Sequence, residues 1–293
     1  MGTTQSQIES PHFFKIANPK DAITYLQLAE DQDGYIEAVQ QSRANAVARQ
    51  EMTYATNKLS PRDAEALQER INSFLPSLPP KFQEDHIRPL IISLMPTADG
   101  GMPHTRSPNL VCLPFTSVPL SLETFVHELW HIHQRQHWSK WNQFYQEKWL
   151  FKPFDQRDLP EQIQEVLRLN PDTCFPHRGN KSGSLGGYLQ ASDTLKQPLW
   201  IWNGEWVPMC VFLNPMSPSF KDTATWFYNV KSRIHYKNTP RAFATFFSES
   251  LPSYAYEHPN EISAYMLGNK SPPSCQAYNV LIHHLGERAK IVV

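Results

Sequence analysis

Apolar side chains between residues 119 and 136 follow the period of an α-helix. The positions that recur three or four residues apart are Leu122, Phe125, Val126, Leu129 and Ile132. This spacing predicts an amphipathic helix whose apolar face packs into the core. Ser121 is suited to cap its N-terminus, and Glu123 is favourable in its first turn. We expect this helix to run from about residue 122 to about residue 149, with a break near Trp138.

Apolar runs on either side of this helix are typical of strands. One run extends from Ile87 to Leu94, and a second ends at Leu113, after a loop that contains Asp99–Gly101. Farther along, two aromatic runs flank Asn203–Gly204, a dipeptide that is preferred in tight hairpin turns. The pattern therefore predicts two strands before the helix and a hairpin well after it.

The first 80 residues carry helical signals. Residues 21–57 are rich in Ala, Gln, Glu and Arg, which predicts one or two helices, and Ser60 and Pro61 fit the cap and first turn of a further helix that ends near Phe74. The proline-rich stretch at 75–80 then interrupts the pattern. We expect residues 1–80 to form a helical N-terminal segment and residues 81–293 to form an α+β domain. Shorter helices are predicted at 160–169, from Pro259 to Gly268 and near 273–287.

Composition excludes several classes of protein. The chain has 293 residues, of which 40% are hydrophobic, and a net charge of −1. This is a globular composition without the global positive field that nucleic-acid binding requires. No apolar run reaches transmembrane length and the four cysteines are widely spaced, so we expect free thiols in the cytoplasm or another reducing compartment. The start of the chain fits an N-myristoylation pattern at Gly2; the alternative is a disordered polar terminus.

Residues 127–131 of the predicted helix form a candidate metal-binding motif, H-E-x-x-H. Residues four apart lie on the same helix face, so His127 and His131 can both direct an imidazole at one metal ion. Glu128 is placed beside them to take a proton from a water that the metal activates. The sequence therefore predicts a zinc site of hydrolytic type.

A catalytic zinc usually has three protein ligands, and the sequence offers two candidates for the third. His137 lies six residues after His131, but the glycine that would turn the chain back between them is replaced by Gln134. Glu261 lies on a separate predicted helix together with Ala264, whose small side chain allows close approach to the first helix. We expect Glu261 to be the ligand, with His137 and some other residue as the alternatives.

At these residues the chain resembles the zincin metallopeptidases of the gluzincin type, in which H-E-x-x-H is followed much later by a glutamate on a second helix. The resemblance implies a zincin-like fold with a small mixed sheet and a metal-bearing helix. It also implies Zn²⁺ as the cofactor, His127, His131 and Glu261 as ligands, Glu128 as general base, and a protein or peptide as the substrate. Residues 102–106, 109–114 and 170–172 also resemble H-E-x-x-H proteins encoded by large DNA viruses, a resemblance that implies the virion as an alternative location.

The sequence leaves several residue roles undecided. The candidates for stabilising an oxyanion are His235, Tyr236, Tyr254, Tyr256 and Tyr265. Asp172 is a candidate acceptor for a ligand imidazole, with a loop cap as the alternative, and the strand at 109–113 is expected to pair with an extended substrate. Two other functions compete with peptide hydrolysis: a zincin-fold binding or structural protein without turnover, and a metal hydrolase of a non-peptide substrate.

Overall fold

A computed structural model describes residues 13–50, 53–115, 119–173 and 199–292 of the chain. The predicted lipid acceptor Gly2 and the cysteine at position 174 lie outside these residues. Among the described residues the fold is mixed α/β, with two small sheets and most of the helices packed around them. None of the described helices is long and apolar enough to cross a bilayer.

The N-terminal segment is helical, as predicted, but residues 19–49 form three helices where one or two were expected, and the segment also contributes a strand. Asn18 caps the first helix through its side chain, and Ser60 with Pro61 begins the fourth helix as the sequence predicted. The segment also forms a short strand that joins the first sheet. The elements of the segment are β1 (Lys15–Ile16), α1 (Pro19–Asp33), α2 (Tyr35–Gln41), α3 (Arg43–Arg49) and α4 (Pro61–Phe74).

The first sheet has four strands in the order β1-β2-β4-β3, with β2 at Leu90–Leu94, β3 at His104–Arg106 and β4 at Leu110–Pro114. β2 runs parallel to both β1 and β4, whereas β3 is antiparallel to β4. β4 is therefore paired on both sides. The expectation that residues 109–113 pair with an extended substrate is wrong, because their backbone groups already bond to neighbouring strands.

A fully buried ion pair ties the N-terminal helices to this sheet. The guanidinium of Arg106 on β3 donates to both carboxylate oxygens of Asp33, over 2.8 and 2.6 Å, and to Glu30 over 2.8 Å. Arg106 has no exposed surface. Removing one partner of a buried pair typically costs about 3–5 kcal/mol, so this contact holds α1 firmly against the sheet edge.

The central helix, α6 (Leu122–Gln136), follows the first sheet and the short α5 (Lys81–Glu84). Ser121 caps it by accepting the Thr124 N–H, which confirms the predicted start. The helix stops at Gln136 and α7 (Trp138–Glu147) follows it, so the predicted break near Trp138 is also confirmed. The predicted apolar face is buried, and α6 lies at the centre of the largest hydrophobic cluster.

The second sheet is antiparallel and has five strands in sequence order: β5 (Phe151–Phe154), β6 (Leu199–Trp202), β7 (Trp206–Phe212), β8 (Thr223–Asn229) and β9 (Ile234–Tyr236). The predicted hairpin joins β6 to β7. Asn203 and Gly204 both have positive φ, 51° and 64°, as a tight type I′ turn requires.

Short helices complete the fold: α8 (Glu161–Gln164), α9 (Arg241–Phe247), α10 (Pro259–Gly268) and α11 (Gln276–Leu285). The helix predicted at 160–169 is shorter than expected, because Leu167 leaves it to bridge to Val211 on β7. Three of the predicted free cysteines, Cys112, Cys210 and Cys275, are unpaired in the described structure.

Candidate metal centre

The candidate site forms where α10 packs along α6. His258 caps α10 by accepting the Asn260 N–H on its Nδ1 at 3.0 Å, and Pro259 occupies the first turn. Gly268 allows the two helices to meet closely, because a Cβ at this position would lie 3.1 Å from the Glu123 carbonyl oxygen and 3.2 Å from the His127 nitrogen. This close approach places Glu261 opposite the H-E-x-x-H turn.

Three donor side chains converge at this point. The Nε2 atoms of His127 and His131 are 2.9 Å apart, and the carboxylate oxygens of Glu261 lie 3.3 Å from the first and 3.5 Å from the second. Zinc bonds of about 2.0–2.1 Å at tetrahedral angles separate two donor atoms by about 3.3 Å. The two imidazoles and the carboxylate thus fit a zinc ion in both spacing and donor type.

Electrostatics at the cluster also suit a cation. Burial alone would raise the pKa of the Glu261 carboxyl, but the charge on His131 and the hydrogen bonds from both imidazoles outweigh it and hold that pKa well below its usual range. Burial alone would lower the pKa of His131, but the carboxylates of Glu261 and Asp172 raise it to about 10. The carboxylates surrounding the cluster therefore stabilise positive charge at its centre.

The side chains that orient the ligands differ from the sequence-based expectation. Asp172 accepts the backbone N–H of Thr105 at 2.6 Å and its hydroxyl at 2.7 Å, so its predicted role as acceptor for a ligand imidazole is wrong. The Nδ1 of His131 instead contacts the Oε1 of Gln134 at 2.8 Å. This contact follows from one helical turn, since the two residues are three apart on α6.

Asn170 orients the third ligand, and sequence reasoning missed it. Its Nδ2 donates to the Oε1 of Glu261 at 2.8 Å and to the Oε1 of Glu257 at 2.6 Å. Asn170 lies 91 positions before Glu261 in the chain, so no local pattern could connect them. The only signal was the Asn-Pro-Asp sequence at 170–172, which marks a turn but not the direction of its side chains.

Glu128 lines the same cavity as His127 and Glu261. Its Oε2 is buried and has no hydrogen-bond partner among the described residues. Burial raises the pKa of the Glu128 carboxyl well above its usual range, and the nearby Asp172 carboxylate adds to this effect. A carboxylate whose proton affinity is raised in this way is suited to act as a general base.

The donors open onto a cavity of about 470 Å³. Six carboxylates line it, and among the described lining residues only Arg168 contributes a guanidinium. The acidic lining residues are Asp99, Glu123, Glu128, Asp172, Glu257 and Glu261. Acidic side chains outnumber basic ones around the cavity, so it favours cationic groups over anionic ones.

Two of the five candidate oxyanion donors line this cavity, namely Tyr254 and Tyr265. The ring of Tyr265 lies 4.5 Å from the ring of His127 and 5.4 Å from that of Tyr254. Burial and the nearby Glu261 carboxylate raise the pKa of Tyr265, so its hydroxyl keeps its proton and can donate it in a hydrogen bond.

The other three candidates lie elsewhere. Tyr256 donates its hydroxyl to the Ser248 carbonyl oxygen, His235 stacks on Trp226, and Tyr236 packs on Trp206 in the second sheet. None of the three is among the residues that line the cavity. The structure therefore narrows the oxyanion candidates to Tyr254 and Tyr265.

His137, the alternative third ligand, belongs to a second group of side chains. It follows the last residue of α6, and its ring lies 4.5 Å from that of His133, on the side of the helix away from Glu261. His133 in turn contacts Asp85 at 2.7 Å. The structure thus brings His127, His131 and Glu261 together and places His137 with His133 and Asp85.

Comparison of the chain with protein-family models, with curated proteins and with solved structures gives no match. The site is therefore interpreted from its own geometry: three metal-type donors, a buried carboxylate beside them and an acidic cavity in front.

Proposed function

We propose that this protein is a zinc-dependent peptidase of zincin-like fold, in which His127, His131 and Glu261 hold the metal and Glu128 is the general base. One observation carries the proposal: the donor atoms of three side chains converge at distances of 2.9–3.5 Å, next to a cavity lined by a buried Glu128. The spacing, the donor types and the unpartnered carboxylate oxygen all support hydrolytic chemistry.

When bound, zinc supplies Lewis acidity, which activates water and polarises a carbonyl group. The chain's own residues provide the remaining steps. Glu128 takes the proton from the attacking water and transfers it to the leaving amine, and its raised pKa makes it able to hold that proton in between. A hydroxyl from Tyr254 or Tyr265 donates to the oxyanion that forms on the attacked carbonyl.

The test is hydrolysis of a basic, unfolded protein, chosen because acidic side chains outnumber basic ones around the cavity. Zinc-loaded wild type should cleave it, and a chelator should abolish cleavage. Glu128→Gln should keep zinc and the fold while losing about 10²–10⁴-fold in rate, since it cannot accept the proton. Glu147→Gln, an exposed position at the end of α7, is the matched control and should cleave like wild type.

The outcomes separate the competing functions. Near-normal cleavage by Glu128→Gln would remove this residue as the base, and loss of zinc from that variant would make it a ligand instead. A wild type that binds zinc but cleaves no protein would favour a binding protein without turnover. Mass analysis of the products distinguishes a peptidase from a hydrolase of another bond. The buried, unpartnered oxygen of Glu128 beside the donors favours turnover over binding alone.

A further inference from the structure

We propose that Gln134 is a positioning residue that selects the nitrogen through which His131 binds the metal, and that it links this selection to the docking of α10. Gln134 offers no atom to the metal itself. The inference rests on the metal cluster of the proposed function and concerns a residue to which neither the H-E-x-x-H pattern nor the donor geometry assigns a role.

The side-chain amide of Gln134 can adopt only one orientation. Gln134 is fully buried, and one end of its amide lies 3.0 Å from the Asn260 carbonyl oxygen and 2.9 Å from the Ser263 hydroxyl. A backbone carbonyl oxygen only accepts hydrogen bonds, so that end of the amide must be the NH₂ group. The oxygen Oε1 therefore faces His131 at 2.8 Å.

This orientation determines where His131 carries its proton. The Oε1 of an amide only accepts, so the Nδ1 of His131 must donate to it and must hold a hydrogen. Its Nε2 is then the nitrogen that binds a metal, and Nε2 is the atom that points at His127 and Glu261. Without the acceptor, a buried N–H at Nδ1 would lack a partner, which costs about 1–3 kcal/mol.

The groups that hold Gln134 belong to the helix that delivers the third ligand. Asn260 and Ser263 flank Glu261 on α10, and the Ser263 hydroxyl also contacts that of Tyr145 on α7 at 2.8 Å. Docking of α10 on α6 therefore brings in the carboxylate and fixes the amide in the same step. The contact between Gln134 and α10 therefore affects two metal donors, His131 and Glu261, which lie on helices far apart in the chain.

The experiment measures zinc affinity by competition with a chromophoric chelator. Gln134→Met keeps a similar shape but loses the acceptor, and it should bind zinc about 10–100-fold more weakly. Gln136→Met makes the same change at an exposed position of the same helix and should leave the affinity unchanged. Tyr145→Phe removes one hydrogen bond from the same buried network but leaves both anchors of Gln134 in place, so it should lose stability while its zinc affinity changes by less than about threefold.

Nitrogen-15 spectra of the zinc-loaded wild type give a readout that a purely structural role would not predict. We expect metal on Nε2 of His131 and a hydrogen on Nδ1. Metal on Nδ1, or a Gln134→Met variant that binds zinc as tightly as wild type, would overturn the inference while leaving the proposed function in place. A wild type that binds no zinc would instead overturn the proposed function.

Discussion

Two clusters of two histidines and one carboxylate lie against helix α6: His127, His131 and Glu261 form the first, and Asp85, His133 and His137 form the second. They differ in the hydrogen-bond partner of one imidazole. In the first cluster, Nδ1 of His131 faces an acceptor, the Oε1 of Gln134. In the second, Nδ1 of His133 accepts the indole N–H of Trp141 at 3.0 Å. An indole nitrogen only donates, so the hydrogen of the neutral His133 must lie on Nε2, which then donates to Asp85 at 2.7 Å.

The two clusters also differ in charge. Asp85 lies 3.0 Å from the ammonium of Lys81, so its carboxylate is already paired with a cation, whereas Glu261 is surrounded by further carboxylates. Burial opposes ionisation of Asp85, but hydrogen bonds from His133 and Lys81 outweigh it and lower the pKa of this carboxyl. Two histidines and an acid therefore do not by themselves define a metal site. The hydrogen-bond partners behind the donors decide which imidazole nitrogen is left to bind a metal: it is Nε2 in His131, whereas both nitrogens of the neutral His133 are already engaged.

The largest expected difference is between the zinc affinities of two variants, His131→Ala in the first cluster and His133→Ala in the second. Loss of a donor atom from the first cluster should weaken zinc binding by more than about 100-fold, because even residues behind the ligands contribute 10–100-fold. His133→Ala should still bind one zinc per chain. Elemental analysis and chelator competition measure both.

Asp85→Asn serves as a second probe of the other cluster in case His133→Ala does not fold, since the Asp85 side chain is 24% exposed. Equal zinc content in wild type and His131→Ala, or loss of zinc from Asp85→Asn, would reverse the assignment of the two clusters.

A smaller effect is expected from Gly268→Ala, which tests how closely α10 must approach α6. The added Cβ would meet backbone atoms of Glu123 and His127 at 3.1–3.3 Å, and α10 has to move outward by a few tenths of an ångström. Such overpacking typically costs about 1–3 kcal/mol of stability. Because Glu261 moves with the helix while the second cluster does not, zinc affinity should fall about tenfold, a change of about 1.4 kcal/mol.

Thermal melting and zinc titration of the Gly268→Ala variant separate the two consequences. A variant that is destabilised but binds zinc as wild type does would show that the position of α10 tolerates more movement than the geometry indicates.

The third expected effect concerns the pH dependence of stability rather than zinc affinity, and it distinguishes His133 from His131. Burial lowers the pKa of His133 to about 4, more than its hydrogen bond to Asp85 raises it. An unfolded histidine binds a proton near pH 6.5, so between pH 6.5 and 4 the unfolded state holds more protons and stability falls as the pH falls. This group should remove about 2 kcal/mol from the free energy of unfolding between pH 7 and pH 5.

Denaturant unfolding of the metal-free protein at the two pH values measures this loss. His133→Gln cannot take up the proton, so its free energy of unfolding should fall less than that of wild type over the same interval. Equal losses in the two proteins would show that His133 is not held in its neutral form.

Much of the site follows from local rules that the sequence contains. The four-residue spacing of His127 and His131 puts both on one helix face, and Ser121 begins that helix because its hydroxyl caps a free N–H. The break at Trp138 and the turn at Asn203–Gly204 are local as well. The start of α10 at Pro259 also follows from the conformation that proline requires.

The sequence by itself therefore determined where α4, α6 and α10 begin, the H-E-x-x-H face and the carboxylate candidate on α10. Only the tertiary structure decided which side chains support them. Gln134 meets Asn260 across 126 positions of the chain, Asn170 meets Glu261 across 91, and Asp85 meets His133 across 48. Helical periodicity fixes neighbours within one turn, whereas contacts over such separations depend on how whole helices and loops pack. The two histidine clusters look alike in sequence for this reason, and packing alone gives one an acceptor and the other a donor.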